Sequence, residues 1–478
     1  MIKTLAFILI QIGSINQNII SQIDAFQKSN GIKNGIVSVH VRDCSTDKEL
    51  LSYNADKSVN SASILKLVST GAILKYFGPD FKFRTDIKYT GEIINGVISG
   101  DLIIKSDGDP SLGSHRYTST SNFGIELMLA LQNIGIKGVK GDLKVIDPDY
   151  FKFHHPDSWI WGDIGNYYGS MPHQFNYNEN FYTVYFDASH QEGGDVEIKS
   201  LKPYSKTWEI NNTVKAGPRG SGDQVYIYTA PNSQKILMKG TVPAGAKGFS
   251  VKGSIPHPAA VFKEFLIDQL AFNSIIVEHP SYQSGSFFEN DTPSFQLHEI
   301  FSPSLSELII DCNFQSINLF ADAFIQKIYA EESGTYNLIE AADFVQDFWK
   351  KSGAETEGFS IKDGSGLSPS GLVTGQGMTS ILSIMAKDHN FDYFLNSIPV
   401  LGESGTVKYL DRKNITQGRV HAKSGSITGT RSYAGYSKTK DDRLIAFSII
   451  VNRYDNSQKN KVREFLENIL LQTIDINQ

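Results

Sequence analysis

The sequence predicts an α/β (α+β) fold in which a mixed unit, built from the first and last parts of the chain, brackets a β-rich insertion. Three observations predict it. Near the start, two short strands run into a helix whose apolar residues recur at helical spacing. From about Phe83 the texture changes to short strands separated by Gly turns, and it holds to about Ile255. Helical patterns then return, and the chain closes with strand, turn, strand and a last helix. The length of 478 residues, at about 150 residues per domain, leaves room for roughly three domains.

Each element has its own signal. Met1-Ile2-Lys3-Thr4 followed by the apolar stretch Leu5 to Ile12 reads as a secretory signal peptide over residues 1–16. The stretch is shorter than the ~20 apolar residues of a transmembrane helix, so no transmembrane anchor is expected. Gly35 to Val41 and Glu49 to Tyr53 read as strands, joined by the polar turn Asp43 to Lys48. Ile64, Leu65, Val68, Ala72 and Tyr76 mark a helix from Ser61 to Phe77, stopped by Gly78-Pro79. Thr85 to Tyr89, Asn95 to Gly100 and Asp101 to Lys105 open the β-rich part. A helix follows at Ala259 to Phe272. Helices then dominate from Pro303 to Leu395: one spans Pro303 to Ile310, a break covers Asp311 to Gln315, and another covers Leu319 to Ala330. Strands fall between Gly418 and Val451, with a helix over Ser457 to Leu471.

Composition narrows the chemistry. Hydrophobic residues make up 40% and charged residues 20%, which excludes a disordered chain. A net charge of −6 gives no reason to expect nucleic acid as a partner. Two cysteines, Cys44 and Cys312, exclude a disulfide scaffold and a Cys-rich metal site. No cofactor or metal is called for. Asp107-Gly108-Asp109 reads as a turn rather than a cation site, because no acidic ligand follows to complete a calcium loop. His154-His155 has no partner ligand at useful spacing, and Gly402 to Lys408 lacks the phosphate-loop pattern.

Three short patterns carry the chemistry: S-x-x-K, S-x-N and K-[ST]-G, the signature of serine acyl-transfer enzymes. Each is weak alone, since S-x-x-K recurs at Ser45/Lys48 and Ser437/Lys440, S-x-N at Ser14/Asn16 and Ser58/Asn60, and K-S-G at Lys351-Ser352-Gly353. Context selects among them. Ser63 and Lys66 sit at the start of a helix, three residues apart on one face, where Oγ and Nζ can meet. The helix N-terminus favours a developing alkoxide. Apolar neighbours would desolvate Lys66 and lower its pKa toward that of a base. The rival S-x-x-K pairs lie in polar turns. Ser316 and Asn318 lie between two helices and can face a cleft; a plain helix cap is the competing reading. Lys423, Ser424 and Gly425 lie on a strand that continues through Ser426, where Gly425 lets the backbone approach a ligand; an ordinary hairpin competes. The rival Gly353 reads as a helix C-cap. The order of the three patterns, with a long first gap and a shorter second one, makes them a joint signal.

With these residues in this order, the chain resembles a class C penicillin-binding protein of the D-alanyl-D-alanine carboxypeptidase/endopeptidase family. Further matches are Tyr53 to Lys57, Gly100-Asp101-Leu102, Gly108 to Leu112, Gly141-Asp142-Leu143, Tyr168-Gly169 and Asn178-Glu179-Asn180. Asp363 to Ser368, Gly405 to Lys408 and Ala422 through Gly435 also match, with Ser424 in place of the family's usual Thr and Ile317 between Ser316 and Asn318. The resemblance implies a penicillin-binding transpeptidase-like (serine β-lactamase-like) catalytic domain over residues 17–83 and 285–478. It implies inserted domain II over 84–165 and 251–284, and a β-rich domain III over 166–250. It implies Ser63 as nucleophile and Lys66 as base. Ser316 and Lys423 pass the proton, Asn318 orients the substrate amide, and Lys423 and Ser424 hold its carboxylate. The backbone of Ser63 and Ser426, beside Gly425, forms the oxyanion hole. Peptidoglycan peptides are then the substrates, β-lactam antibiotics the inhibitors, and the location periplasmic or otherwise extracytoplasmic. A β-lactamase and a non-catalytic wall-binding protein on the same scaffold remain alternatives. The resemblance assigns no role to Cys312 or His421.

Overall fold

The structure, a computed structural model, describes residues 2–148, 155–281 and 292–477, with side chains from residue 15. It divides into two compact units. The first comprises Met1–Phe81, Leu305–Ser333 and Ile339–Gln478; the second comprises Lys82–Ser304 and Gly334–Leu338.

The first unit is built on a five-stranded antiparallel sheet. Its strands run in the order Val420–Ile427, Thr430–Lys438, Leu444–Asn452, Ile36–Asp43 and Glu49–Tyr53. The early strand Ile36–Asp43 pairs with the late strand Leu444–Asn452 from Ile36 opposite Asn452 to Asp43 opposite Ile445. Alternation along these strands sends Val37, Val39, Val41, Phe447, Ile449 and Val451 into one core. The helices Ile2–Gln27 and Lys459–Gln472 cover it with Ile19, Ile23, Val462 and Leu466, and the Phe26 and Phe465 rings stack at 3.7 Å. Each such side chain contributes roughly 1.5–3 kcal/mol of burial. The helix Gly375–Ala386 packs on the same sheet, and the His40 Nδ1 meets Thr379 Oγ1 at 2.6 Å.

The helix after the second strand is Lys66–Phe77, preceded by a 3₁₀ turn over Ala62–Leu65 and ended at Gly78, φ +81°. Every residue from Lys66 to Leu74 is buried. That is why the 3.6-residue spacing reads well while its polar positions do not face water. Gly71 admits the Trp349 indole, whose Nε1 donates to the Val68 carbonyl at 3.1 Å.

The second unit holds two apolar cores. One gathers Ile87, Leu102, Leu112, Phe123, Leu127, Phe175, Phe262 and Ile300 around the helices Phe123–Ile134 and Pro258–Phe272. The other gathers Tyr182, Val184, Phe186, Ile227, Ile236, Met238 and Val251 between short sheets.

Several boundaries differ from the sequence expectation, each for a physical reason. The strand Ser294–Phe301, assigned to the catalytic part, pairs antiparallel with Arg84–Thr90, so it lies in the insertion up to Ser304. The expected boundary at residues 284 and 285 falls outside the described residues. The helix Phe123–Ile134 interrupts the β-rich texture, with Phe123, Leu127 and Leu131 on its buried face. The helix expected over Pro303 to Ile310 runs Leu305–Gln315, and the break shrinks to Ser316 and Ile317.

Candidate active site

Three elements of the first unit converge on Ser63. The 3₁₀ turn carries Ser63 and feeds the helix that carries Lys66. Lys66 Nζ donates to Ser63 Oγ at 3.1 Å, to Asn318 Oδ1 at 2.6 Å and to the Ser365 carbonyl at 2.8 Å. Lys66 is fully buried, and burial lowers its pKa; Cys312, Asp322 and Asp363 oppose that shift. Beside it, the fully buried Lys423 donates to Ser316 Oγ and to the Ser424 carbonyl, each at 2.9 Å. Desolvation, then repulsion from Lys66, holds Lys423 well below the ordinary lysine range. Two amines with depressed basicity therefore each touch a serine hydroxyl, the arrangement that proton transfer to and from a nucleophile needs.

The backbone around Ser63 is locked. Ala62 adopts φ +47°, unusual for a residue with a Cβ and worth about 1–3 kcal/mol of strain. Asn60 holds it there: its Oδ1 accepts from the Ala62 amide at 2.9 Å. Asn60 is itself fixed by reciprocal bonds with Asn452, and its Nδ2 donates to the Ser368 and Gly371 carbonyls. Ser432 Oγ donates to the Ser61 carbonyl at 2.6 Å. A Cβ on Gly425 would lie 2.3 Å from Ser432 Oγ and 2.9 Å from the Ser63 nitrogen. The strand must therefore be glycine where it passes Ser63.

Ser316 sits in the left-handed region, φ +59°, between helices. The Ile317 amide returns to the Cys312 carbonyl at 3.1 Å, a Schellman-type helix end in which Ser316 takes the place usually given to Gly. Cys312 thus has a structural place beneath the S-x-N loop, and burial pushes its thiol up to about 12, so it stays unionised. His421 Nδ1 meets the Ile398 carbonyl at 3.1 Å.

Three neighbours of these residues carried no assigned role in the sequence reading, although two of them, the loop Asp363 to Ser368 and Thr406, lie in matched segments. The loop Asp363 to Ser368 supplies the Ser365 carbonyl that holds Lys66. Asp322, one turn beyond Asn318 on the same helix, fixes that loop by accepting from the Gly364 amide at 2.7 Å, while Ser69 Oγ donates to the Gly364 carbonyl at 2.6 Å. Asp363 accepts from the Gly366 and Ser368 amides, both at 2.7 Å. Burial first, and the Asp363 charge next, push Asp322 well above the usual carboxylate range. The third is Thr406, whose Oγ1 lies 2.7 Å from Ser424 Oγ. The i, i+4 spacing of Asn318 and Asp322 was the available signal for one of them.

The remaining sequence candidates have other roles. Asp109 Oδ1 accepts from the Ser111 amide and hydroxyl, which closes a turn. His154 lies outside the described residues, while His155 packs edge-on against Trp159. No group of three or more His, Cys, Asp or Glu fit to hold a metal occurs among the described residues. The rival Gly353, φ +92°, ends a helix.

The profile of the D-Ala-D-Ala carboxypeptidase 3 (S13) family matches residues 19–473. The chain is 26% identical over 444 residues to a D-alanyl-D-alanine carboxypeptidase of Actinomadura sp. (strain R39), covering 90% of this chain and 80% of that protein. It is 25% identical over 416 residues to the D-alanyl-D-alanine carboxypeptidase DacB of Haemophilus influenzae, covering 84% and 82%. In structure it is similar to penicillin binding protein 4 of H. influenzae, with TM-score 0.78, 22% identity and coverage of 96% and 99%.

Proposed function

Because the chain belongs to the D-Ala-D-Ala carboxypeptidase 3 (S13) family, we propose that it cleaves D-alanyl-D-alanine bonds of peptidoglycan stem peptides, as a carboxypeptidase or DD-endopeptidase, through an acyl-enzyme on Ser63. One observation carries the reading: Lys66 Nζ lies 3.1 Å from Ser63 Oγ while Lys423 Nζ lies 2.9 Å from Ser316 Oγ.

Neutral Lys66 gives its two N–H groups to Asn318 Oδ1 and the Ser365 carbonyl, which leaves its lone pair for the Ser63 proton as Oγ attacks the penultimate D-alanyl carbonyl. Charge builds on the carbonyl oxygen, which the Ser63 and Ser426 amides receive. Gly425 keeps the strand close enough for both to serve one atom. The C–N bond then breaks as the proton taken by Lys66 passes to the leaving amine through the Ser316 hydroxyl, which Lys423 holds at 2.9 Å. Asn318 Oδ1 is engaged by Lys66, so this residue sets the base as well as lining the substrate amide. The terminal carboxylate is received by the paired hydroxyls of Ser424 and Thr406 and by the field of Lys423. Water releases the acyl group. β-Lactams enter by the same attack and leave slowly, which makes them inhibitors.

We place the enzyme outside the cytoplasm, where its substrate lies. No described helix is long and apolar enough to cross a membrane, and the apolar start of the chain fits export.

Labelling with fluorescent penicillin tests the reading. Wild type should form a stable adduct and Ser63→Ala none. D-Alanine release from a pentapeptide, against cleavage of a cross-linked dimer, separates the two peptidase activities. Absence of any adduct on wild type rejects the acyl-enzyme, and rapid multiple turnover of nitrocefin replaces the peptidase with a β-lactamase.

A further inference from the structure

The second unit carries a cleft of about 590 Å³ that holds none of the acyl-transfer residues. Trp161, Glu209, Asn211, Tyr228, Ser233 and Lys235 line it. Trp161 is 63% exposed, an unusual state for the largest side chain. It is not a loose residue. Its short helix, Trp161–Ile164, is tied to the strand Gln224–Tyr228 by the buried Asn166. Asn166 Nδ2 donates to the Gly162 carbonyl at 2.6 Å, and its Oδ1 accepts from the Ile227 amide at 3.3 Å. Gly165 passes so near Ile227 that a Cβ would lie 2.1 Å from its carbonyl oxygen.

That tie sets the rings in a row. The Trp161 and Tyr228 centroids are 4.9 Å apart with planes at 49°, and the exposed Tyr226 follows at 6.5 Å from Tyr228. Tyr226 and Tyr228 share a strand face by alternation, with Val225 and Ile227 buried behind them. Around the rings stand the Asn211 amide, the Ser233 and Thr229 hydroxyls and one charge of each sign. Glu209 and Lys235, with N and O 4.0 Å apart, largely offset one another. A polyanion finds no net positive charge there. The wall suits a neutral ligand with apolar ring faces and polar edges, which is the chemistry of a sugar.

We propose that this cleft binds the glycan backbone of the wall polymer, stacking N-acetylated sugar rings on Trp161 and Tyr228 while Asn211 and Ser233 meet their hydroxyl and acetamido edges. The proposal rests on the reading that the enzyme works on peptidoglycan, and it gives that substrate a second point of attachment, on the second unit.

The test uses the full chain and two peptide-free probes: N-acetylglucosamine tetramer, and wall glycan strands from which stem peptides have been removed. Binding is read by calorimetry, with cellotetraose, which lacks acetamido groups, as the comparison. Wild type should bind both probes saturably and cellotetraose more weakly. Trp161→Ala should weaken both by about tenfold or more, and Trp161→Phe should recover part of the loss. Penicillin labelling of Ser63 should be unchanged in either variant, which also shows that they are folded. Preference for the wall strands over the tetramer identifies the wall polymer as the source. No saturable binding of wild type to either probe overturns the proposal, as does equal binding by Trp161→Ala. Binding to intact wall that disappears with the peptides places recognition in the peptide alone and also overturns it. Loss of penicillin labelling in wild type overturns the peptidase reading and leaves the sugar measurement standing.

Discussion

Replacing Asp322 separates two things its carboxyl does. It accepts the Gly364 amide at 2.7 Å, which fixes the loop whose Ser365 carbonyl holds Lys66. Its charge, when present, also draws Lys66 toward the ammonium form. Asp322→Ala removes both. It leaves a buried amide unpaired at a cost of about 1–3 kcal/mol. If that cost falls on the placement of Lys66, acylation slows about 5- to 150-fold. Asp322→Asn keeps an acceptor for Gly364 and removes only the charge. Its acylation should stay within about threefold of wild type at the optimum, with the rising limb of the pH profile moved to lower pH. The assay is the second-order rate of penicillin labelling from about pH 6 to 10, with a thermal melt of each variant as the control on folding. Wild-type rates in Asp322→Ala would refute the loop argument. An unshifted profile in Asp322→Asn would refute the electrostatic one.

Three further outcomes are expected. Gly425→Ala must displace Ser432 Oγ or the Ser63 turn, because its Cβ would stand 2.3 Å and 2.9 Å from them; labelling should fall steeply and stability by about 1–3 kcal/mol, and a wild-type labelling rate would contradict the fit. Trp349→Phe removes the donor to the Val68 carbonyl and leaves a void behind the helix Lys66–Phe77, so urea unfolding should show a loss of about 2–4 kcal/mol. Burial depresses Lys66 and Lys423 in the folded chain, so between those lowered values and 10.5 the unfolded chain binds more protons than the native one. Stability should therefore climb with pH across that window and fall as pH drops through it. Lys66→Met should flatten the slope in urea unfolding measured at successive pH values, and an unchanged slope would count against a buried amine at this site.

The contact between Ser63 and Lys66 was legible because a helix fixes the geometry of residues three apart. Ser63 and Lys66 need no knowledge of the rest of the chain to be paired. Ser316, Asn318 and Lys423 were legible as types, through spacing and order, but their meeting was not. Nothing local tells that Lys423 reaches Ser316 or that Asn318 faces Lys66. Asp322 and Ser365 were harder still. One acts through a backbone amide and the other through a carbonyl, and a carbonyl has no sequence identity. The left-handed backbone at Ala62 and Ser316 was also hidden, since neither is glycine. Among the fold elements, Phe123–Ile134 carried a readable helical period that its strand-like surroundings masked. The pairing of Ser294–Phe301 with Arg84–Thr90 joins segments too distant for any local pattern to register.

The pairing of Ile36–Asp43 with Leu444–Asn452 also governs when the enzyme can come into being. The insertion from Lys82 to Ser304 is continuous apart from a five-residue return, so most of its contacts are complete once that stretch has been synthesised. The sheet beneath Ser63 cannot close until the strand ending at Asn452 has arrived, and Asn452 is also the residue that clamps Asn60 ahead of the Ser63 turn. Closing so long a loop is slow and comes late. Ser63 is thus made early, and a chain still missing its final strands carries it without the Asn452 clamp on Asn60 or the contact of Lys423 with Ser316.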